Sequence, residues 1–192
     1  MELSTEFLDK LDYFVLDAAR IGRMLNDVMD FDLNIHSLYK YRSEEALADV
    51  APYLIDVKNQ LEFLSWYFEK GWGDSWGIFI NSSENFENIF KHLRKFLIVQ
   101  DEKGEELYFR FYDPRVLNDF FDVIEEEQAK EFFSGVNMYI TETEIPGIAN
   151  SYLYDKKRVI KNQISIIFKL KEIEFLQNVV EPEEIFDDLN LI

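Results

Sequence analysis

His36, His92 and a surplus of carboxylates are the side chains in this sequence suited to proton transfer near neutral pH. His36 is followed by Ser37, but neighbours on a strand point to opposite faces and cannot form a dyad locally. His92 falls in the cationic part of an amphipathic stretch, where a place on the helix surface accounts for it. Asp17, Asp56 and Asp113 stand near the ends of strand-like runs, where acids of α/β enzymes often sit. Pro114 directly follows Asp113, so Asp113 reads first as a helix cap. Asp17 has Arg20 three residues on as a candidate partner. Glu125, Glu126 and Glu127 read as an exposed helix start, because a hard cation needs several oxygens at loop-like spacing. Cysteine is absent, which excludes a thiol nucleophile, a disulfide framework and a thiolate metal site. No phosphate-cradling glycine loop or HExxH occurs. The expectation is a chain with no catalytic residue, metal or cofactor, whose work is binding.

Composition narrows the partner. The 192 residues carry a formal charge of −18, which opposes nucleic acid and anionic membranes and favours a basic protein surface. Hydrophobic residues make up 47% and aromatic residues 16%, enough for a packed core. The first residues lack a basic region followed by an apolar one, and no apolar run is long enough to cross a bilayer, so the expected compartment is the cytoplasm.

Alternating strand-like and helix-like segments must position these residues. Strands are expected at 13–18, 35–39, 52–57, 76–81 and 137–144. A helix is expected over 21–31, with Ile21, Met24, Leu25 and Val28 at helical spacing. Ser43 offers a cap, with Glu44 and Glu45 in the first turn. Residues 61–70 read as a helix ending at Gly71. Ser83 is a candidate cap for a helix over 84–97, where Phe86, Ile89, Phe90, Leu93 and Phe96 form one stripe and Lys91, Arg94 and Lys95 sit toward the negative end. DEKG between two short apolar runs signals a hairpin. Helices follow at 114–121 and 125–133. The fold class is α/β, a mixed sheet flanked by helices over residues 1–145, with a smaller helical lobe over 146–192. Pro146 and Gly147 mark the break. Residues 151–180 then carry six basic and three acidic side chains, and residues 181–192 five acids and no base. Over 155–180 the stripe of Ile160, Ile164 and Ile167 reads as a helix, with Ile167, Phe168, Leu170 and Phe175 as candidate partner anchors.

The run GWGDSWGIFI, residues 71–80, reads as architecture: Trp72 and Trp76 in a turn punctuated by Gly71, Gly73 and Gly77, which allow positive φ or close backbone approach. Asp113 is expected to cap a helix, and Arg115 to form a buried or half-buried ion pair, with Asp17 as a candidate partner.

YFVLDAAR, SLY, LADVAPYL, GWGDSWGIFI, HLRKFL and FRFYDPRVL occur here in order. Together, over residues 11–141, they resemble the type VI secretion adaptor chaperones, a family long labelled a domain of unknown function and also called Tap or TEC adaptors. The resemblance implies a cytosolic, non-catalytic protein that binds a cognate toxic effector and helps load it onto the VgrG spike. It places the family signature at Asp17, Trp72, Gly73, Trp76, Gly77, Arg94, Phe111, Tyr112, Asp113, Pro114 and Arg115. Ala18 stands where the family often has glycine, and no match extends beyond residue 145. Two rivals remain: an immunity-type protein that blocks a toxin, and, third, a hydrolase using Asp17 or His36.

Overall fold

A computed structural model describes residues 3–39, 47–101 and 103–167 of the chain. Its strands are β1 (Tyr13–Asp17), β2 (Ile35–Ser37), β3 (Pro52–Asp56), β4 (Gly77–Asn81), β5 (Ile98–Gln100), β6 (Glu106–Tyr108), β7 (Met138–Glu142), β8 (Ile148–Asp155) and β9 (Arg158–Ser165). Its α-helices are α1 (Thr5–Leu8), α2 (Ala18–Ile21), α3 (Leu25–Met29), α4 (Leu61–Lys70), α5 (Phe86–Arg94), α6 (Pro114–Val123) and α7 (Glu126–Phe132).

Seven strands form one sheet in the order β2-β3-β1-β4-β7-β8-β9, and β5 and β6 form a separate hairpin. β1 is central and buried along its whole length. Its odd and even residues serve opposite faces, as strand geometry requires. Phe14 and Leu16 join Ile55, Phe79 and Ile140 against Phe7, Ile21, Val28, Phe63 and Tyr67 from α1 to α4. Tyr13 and Val15 join Leu54, Ile78, Ile80 and Tyr139 against Ile89, Leu93, Leu117, Phe121 and Phe132 from α5 to α7. The result is a three-layer sandwich with helices on both faces. Such strands read as continuous apolar runs because neither face meets water. Each fully buried Phe or Leu contributes about 1.5–3 kcal/mol.

The α/β class stands, but every pairing in the seven-stranded sheet is antiparallel, so the sheet is not mixed. β3, α4 and β4 do make a strand–helix–strand crossover. It passes over β1, so the two parallel strands are not neighbours.

The larger correction concerns the first part of the expected C-terminal lobe, residues 148–165; residues 168–192 of it lie outside the described residues. The helix expected from residue 155 does not form over the described residues. Instead β8 and β9 pair in register from Ile148↔Ser165 to Asp155↔Arg158, and both belong to the main sheet. The sheet therefore runs on past the boundary expected between 145 and 146. Lys156 and Lys157 make the tight turn with φ of 48° and 71°. Ile160 and Ile164 are four apart, a spacing that suits a helix face and, being even, one face of a strand.

Smaller differences follow local chemistry. Gly22, at φ 59°, interrupts the helix expected over 21–31, which becomes α2, a 3₁₀ turn and α3. Asn85, not Ser83, caps α5, its side chain accepting the Asn88 N–H at 2.9 Å. Glu44, Glu45 and the Ser43 cap lie outside the described residues. Among the described residues no helix is long and apolar enough to cross a membrane.

Candidate functional site

Most of the signature gathers at one end of the sheet. β1 and β7 finish there, and β3, β4 and β8 begin there, as the pairs Asp17↔Pro52, Leu16↔Gly77 and Glu142↔Ala149 show. Asp17 is fully buried. One carboxylate oxygen accepts the Ala19 N–H at 3.1 Å, and the other accepts from Arg110 Nη2 in a close ion pair. Arg115 does not reach Asp17. It folds back onto Asp113, donating from Nε at 3.0 Å and from Nη2 at 2.6 Å. The Arg115 backbone N–H donates to the same carboxylate at 3.0 Å, so Asp113 caps α6 as expected, with Pro114 as the first helical residue. The Arg115 side chain is 61% exposed, so the ion pair is buried only on its acid side. Burial pushes the Asp113 carboxyl up, but the Arg115 side chain and N–H outweigh it and hold the value below the ordinary one.

The turn between α4 and β4 is tied to the same end by Glu142. Its carboxylate accepts the Gly73 N–H at 2.8 Å, the Ser75 N–H at 2.7 Å and the Ser75 hydroxyl at 3.1 Å. Burial nevertheless raises its pKa against these three bonds, and nearby Asp74 adds to the rise. Gly73 takes φ 100°, a conformation closed to most side chains. Gly77 is required for a different reason: a Cβ there would sit 2.1 Å from the Val15 carbonyl oxygen. Trp76 is buried against Trp66 and Tyr67, with centroids 5.9 and 6.3 Å away. Trp72 is half-buried on Phe68 at 4.9 Å. Arg20, read as a partner for Asp17, instead donates to the Asp74 carbonyl at 2.8 Å. Phe111 and Tyr112 are buried beneath the second layer of helices.

Asp17, Trp72, Gly73, Trp76, Gly77, Phe111, Tyr112, Asp113, Pro114 and Arg115 thus serve the architecture. Glu142 and Arg110 belong with them and carried no local sequence signal, because their partners lie 67 to 93 residues away. The three buried carboxylates of this end, Asp17, Asp113 and Glu142, are engaged by their own scaffold, and using any of them in proton transfer would first break a structural hydrogen bond. Among the described residues no group of three or more His, Asp or Glu side chains is placed to hold a metal ion.

The histidines lie elsewhere. His36 is exposed on β2, its ring 5.3 Å from Phe86 and 6.0 Å from Phe90. His92 is not on the helix surface: it is buried, with Nε2 2.9 Å from the Phe132 carbonyl oxygen. Burial lowers its pKa, against that hydrogen bond.

Arg94 is the signature residue that stands apart. It ends α5 and lines an open cleft of about 470 Å³ with Leu38, Tyr39, Leu47, Ile98 and Tyr108. Its guanidinium carbon lies 5.0 Å from the centre of the Phe90 ring. Its Nη2 is buried and has no hydrogen-bond partner. The Tyr108 hydroxyl joins those of Tyr39 at 2.9 Å and Tyr112 at 3.0 Å, linking the cleft wall to the interior. Burial pushes the Tyr112 phenol up to about 12, and Tyr108 is raised by burial and by these bonds.

Of the candidate anchors, Ile167 is partly exposed and bridges to Leu3, while Phe168, Leu170 and Phe175 lie outside the described residues.

These features define a class before they define a family: a two-faced antiparallel sandwich whose sheet end is locked by buried carboxylates. The chain belongs to the family described as a domain of unknown function, DUF4123, whose profile matches residues 13–131. No curated protein and no solved structure matches it.

Proposed function

We propose that this protein is an adaptor chaperone that binds a cognate toxic effector in the cytoplasm and helps load it onto the VgrG spike for type VI secretion. The observation that carries the reading is the engagement of Asp17, Asp113 and Glu142, each held by two or three hydrogen bonds within the fold. A signature used in this way preserves a stiff platform, and a platform serves binding. The six motifs in their order support the same reading, as does membership of the DUF4123 family. The partners are then two proteins, effector and spike, with no nucleic acid, membrane or cofactor. This is not an enzyme's site.

Co-expression of the full chain with a candidate toxic effector and a VgrG spike protein tests this. The adaptor reading expects a stable complex that also captures the spike protein, with toxicity unaffected by the chain. Growth rescue without spike capture would instead favour an immunity-type protein.

A further inference from the structure

β9 is the last strand of the seven-stranded sheet, so one row of its backbone groups has no strand partner among the described residues. The Ile166 N–H donates to the Gly147 carbonyl at 3.0 Å. By the two-residue alternation of an antiparallel ladder, Val159, Lys161 and Gln163 therefore aim their N–H groups away from β8. Just past the end of β9, Leu3 bridges Ile167, so a further segment already pairs there. A long unpaired edge is a template for another strand, and proteins cover it or break it up. At eight residues, β9 is about 26 Å long.

This edge is also a basic stretch of an acidic molecule. Residues 156–167 hold Lys156, Lys157, Arg158 and Lys161 and no acid, in a chain of net −18. All four side chains are exposed. Lys157 is the one of the four in an ion pair among the described residues, with Glu126 at 2.8 Å. Lys161 lies 5.5 Å over the Tyr152 ring. A strand laid along β9 would therefore meet a row of outward N–H groups and a positive field.

We infer that residues 181–188 of the same chain, which lie outside the described residues, dock on this edge as an added strand. Charge selects the segment: EPEEIFDD holds five acids and no base, and opposite charges on adjacent strands attract. Reach permits it: the thirteen residues from 168 to 180 span up to about 43 Å, more than the length of β9. The eight residues of the segment match the eight of β9. Pro182 and the acids are also residue types that stop an outermost strand from pairing again. Attachment makes the pairing intramolecular, so a strand from a partner or from a second copy must displace it. None of this depends on the adaptor reading.

Amide hydrogen exchange on the full chain, read residue by residue by NMR, tests this. The Val159, Lys161 and Gln163 amides should exchange at least about tenfold more slowly than in an unstructured chain, although they face away from β8. Reversing the segment with E183K/E184K/D187K/D188K should return them to the unprotected rate, while Val15 in β1 keeps its parental protection. R158E/K161E alone should do the same, and the two sets combined should restore protection. Unprotected amides in the parent, or protection that survives both sets of substitutions, overturns the inference. So does protection that fades on dilution, which would assign the edge to a second copy.

Discussion

At the sheet end, Glu142 accepts three hydrogen bonds and Asp17 holds both Ala19 and Arg110. In the cleft, Arg94 is half-buried, and its Nη2 is buried with no acceptor. Both regions set charge against aromatic walls. In the first the carboxylates are satisfied within the fold, although Arg110 Nε there has no acceptor, so removing a carboxylate should be felt as lost stability. In the second the cation has no ion pair among the described residues, so its removal should cost little stability. The presence of a charged residue in a family signature does not by itself say which of these applies. Its hydrogen bonds do.

The sharpest way to break the comparison is at the tightest point of the sheet end. Gly77→Ala should cost about 3 kcal/mol or more, because the new methyl meets the Val15 carbonyl, which belongs to the buried backbone of β1. Urea denaturation would measure it, and a parental midpoint would show that β1 and β4 can part without penalty. Asp17→Ala should cost about 2–3 kcal/mol, combining a lost cap with a broken ion pair whose Arg110 side is 41% exposed. Glu142→Gln should cost about 2 kcal/mol, since an amide nitrogen would face an N–H where a carboxylate oxygen now accepts. Arg115→Ala should cost about 1 kcal/mol or less, because the arginine is largely solvated and Asp113 keeps its backbone donor.

Acid titration sharpens the contrast within the sheet end. The Glu142 pKa is raised in the fold, so its contribution to stability is complete below the ordinary value of 4.5 and is lost as pH rises through the folded value. The Asp113 pKa is lowered, so its contribution is present above 3.8 and is lost as pH falls through the folded value. Melting temperature against pH should therefore lose part of its acid-side decline in Asp113→Asn. In Glu142→Gln it should lose a decline on the opposite side of the acid range. Identical profiles for the two variants would contradict the assigned directions.

Much of this fold is legible where the determinants are local. The Asp113–Pro114 helix start, the Gly71 end of α4, the DEKG hairpin and the apolar run of β1 each rest on residues within a few positions of one another. The hairpin of β8 and β9 was hidden because isoleucines four apart satisfy two periodicities. Its turn also uses Lys156 and Lys157 where glycine or asparagine would have signalled it. At the sheet end, sequence identifies Asp17 and Asp113 but not what holds them. Arg110 and Glu142 carry no local mark, and their roles exist only once β1, β4 and β7 lie side by side. His92 misleads for the same reason: its burial is set by the distant Phe132 carbonyl, not by the charges beside it.

The Ser4 N–H donates to the Ile166 carbonyl at 3.0 Å, and Leu3 bridges Ile167, so residues 3 and 167 sit side by side in space. A short linker in place of residues 1–2 and 168–192 would join them directly, and the chain would be reopened at the tip of the β5–β6 hairpin, where Gly104 turns with φ 79°. Such a rewired protein would keep every strand pairing of the seven-stranded sheet while placing its new ends beside Leu107.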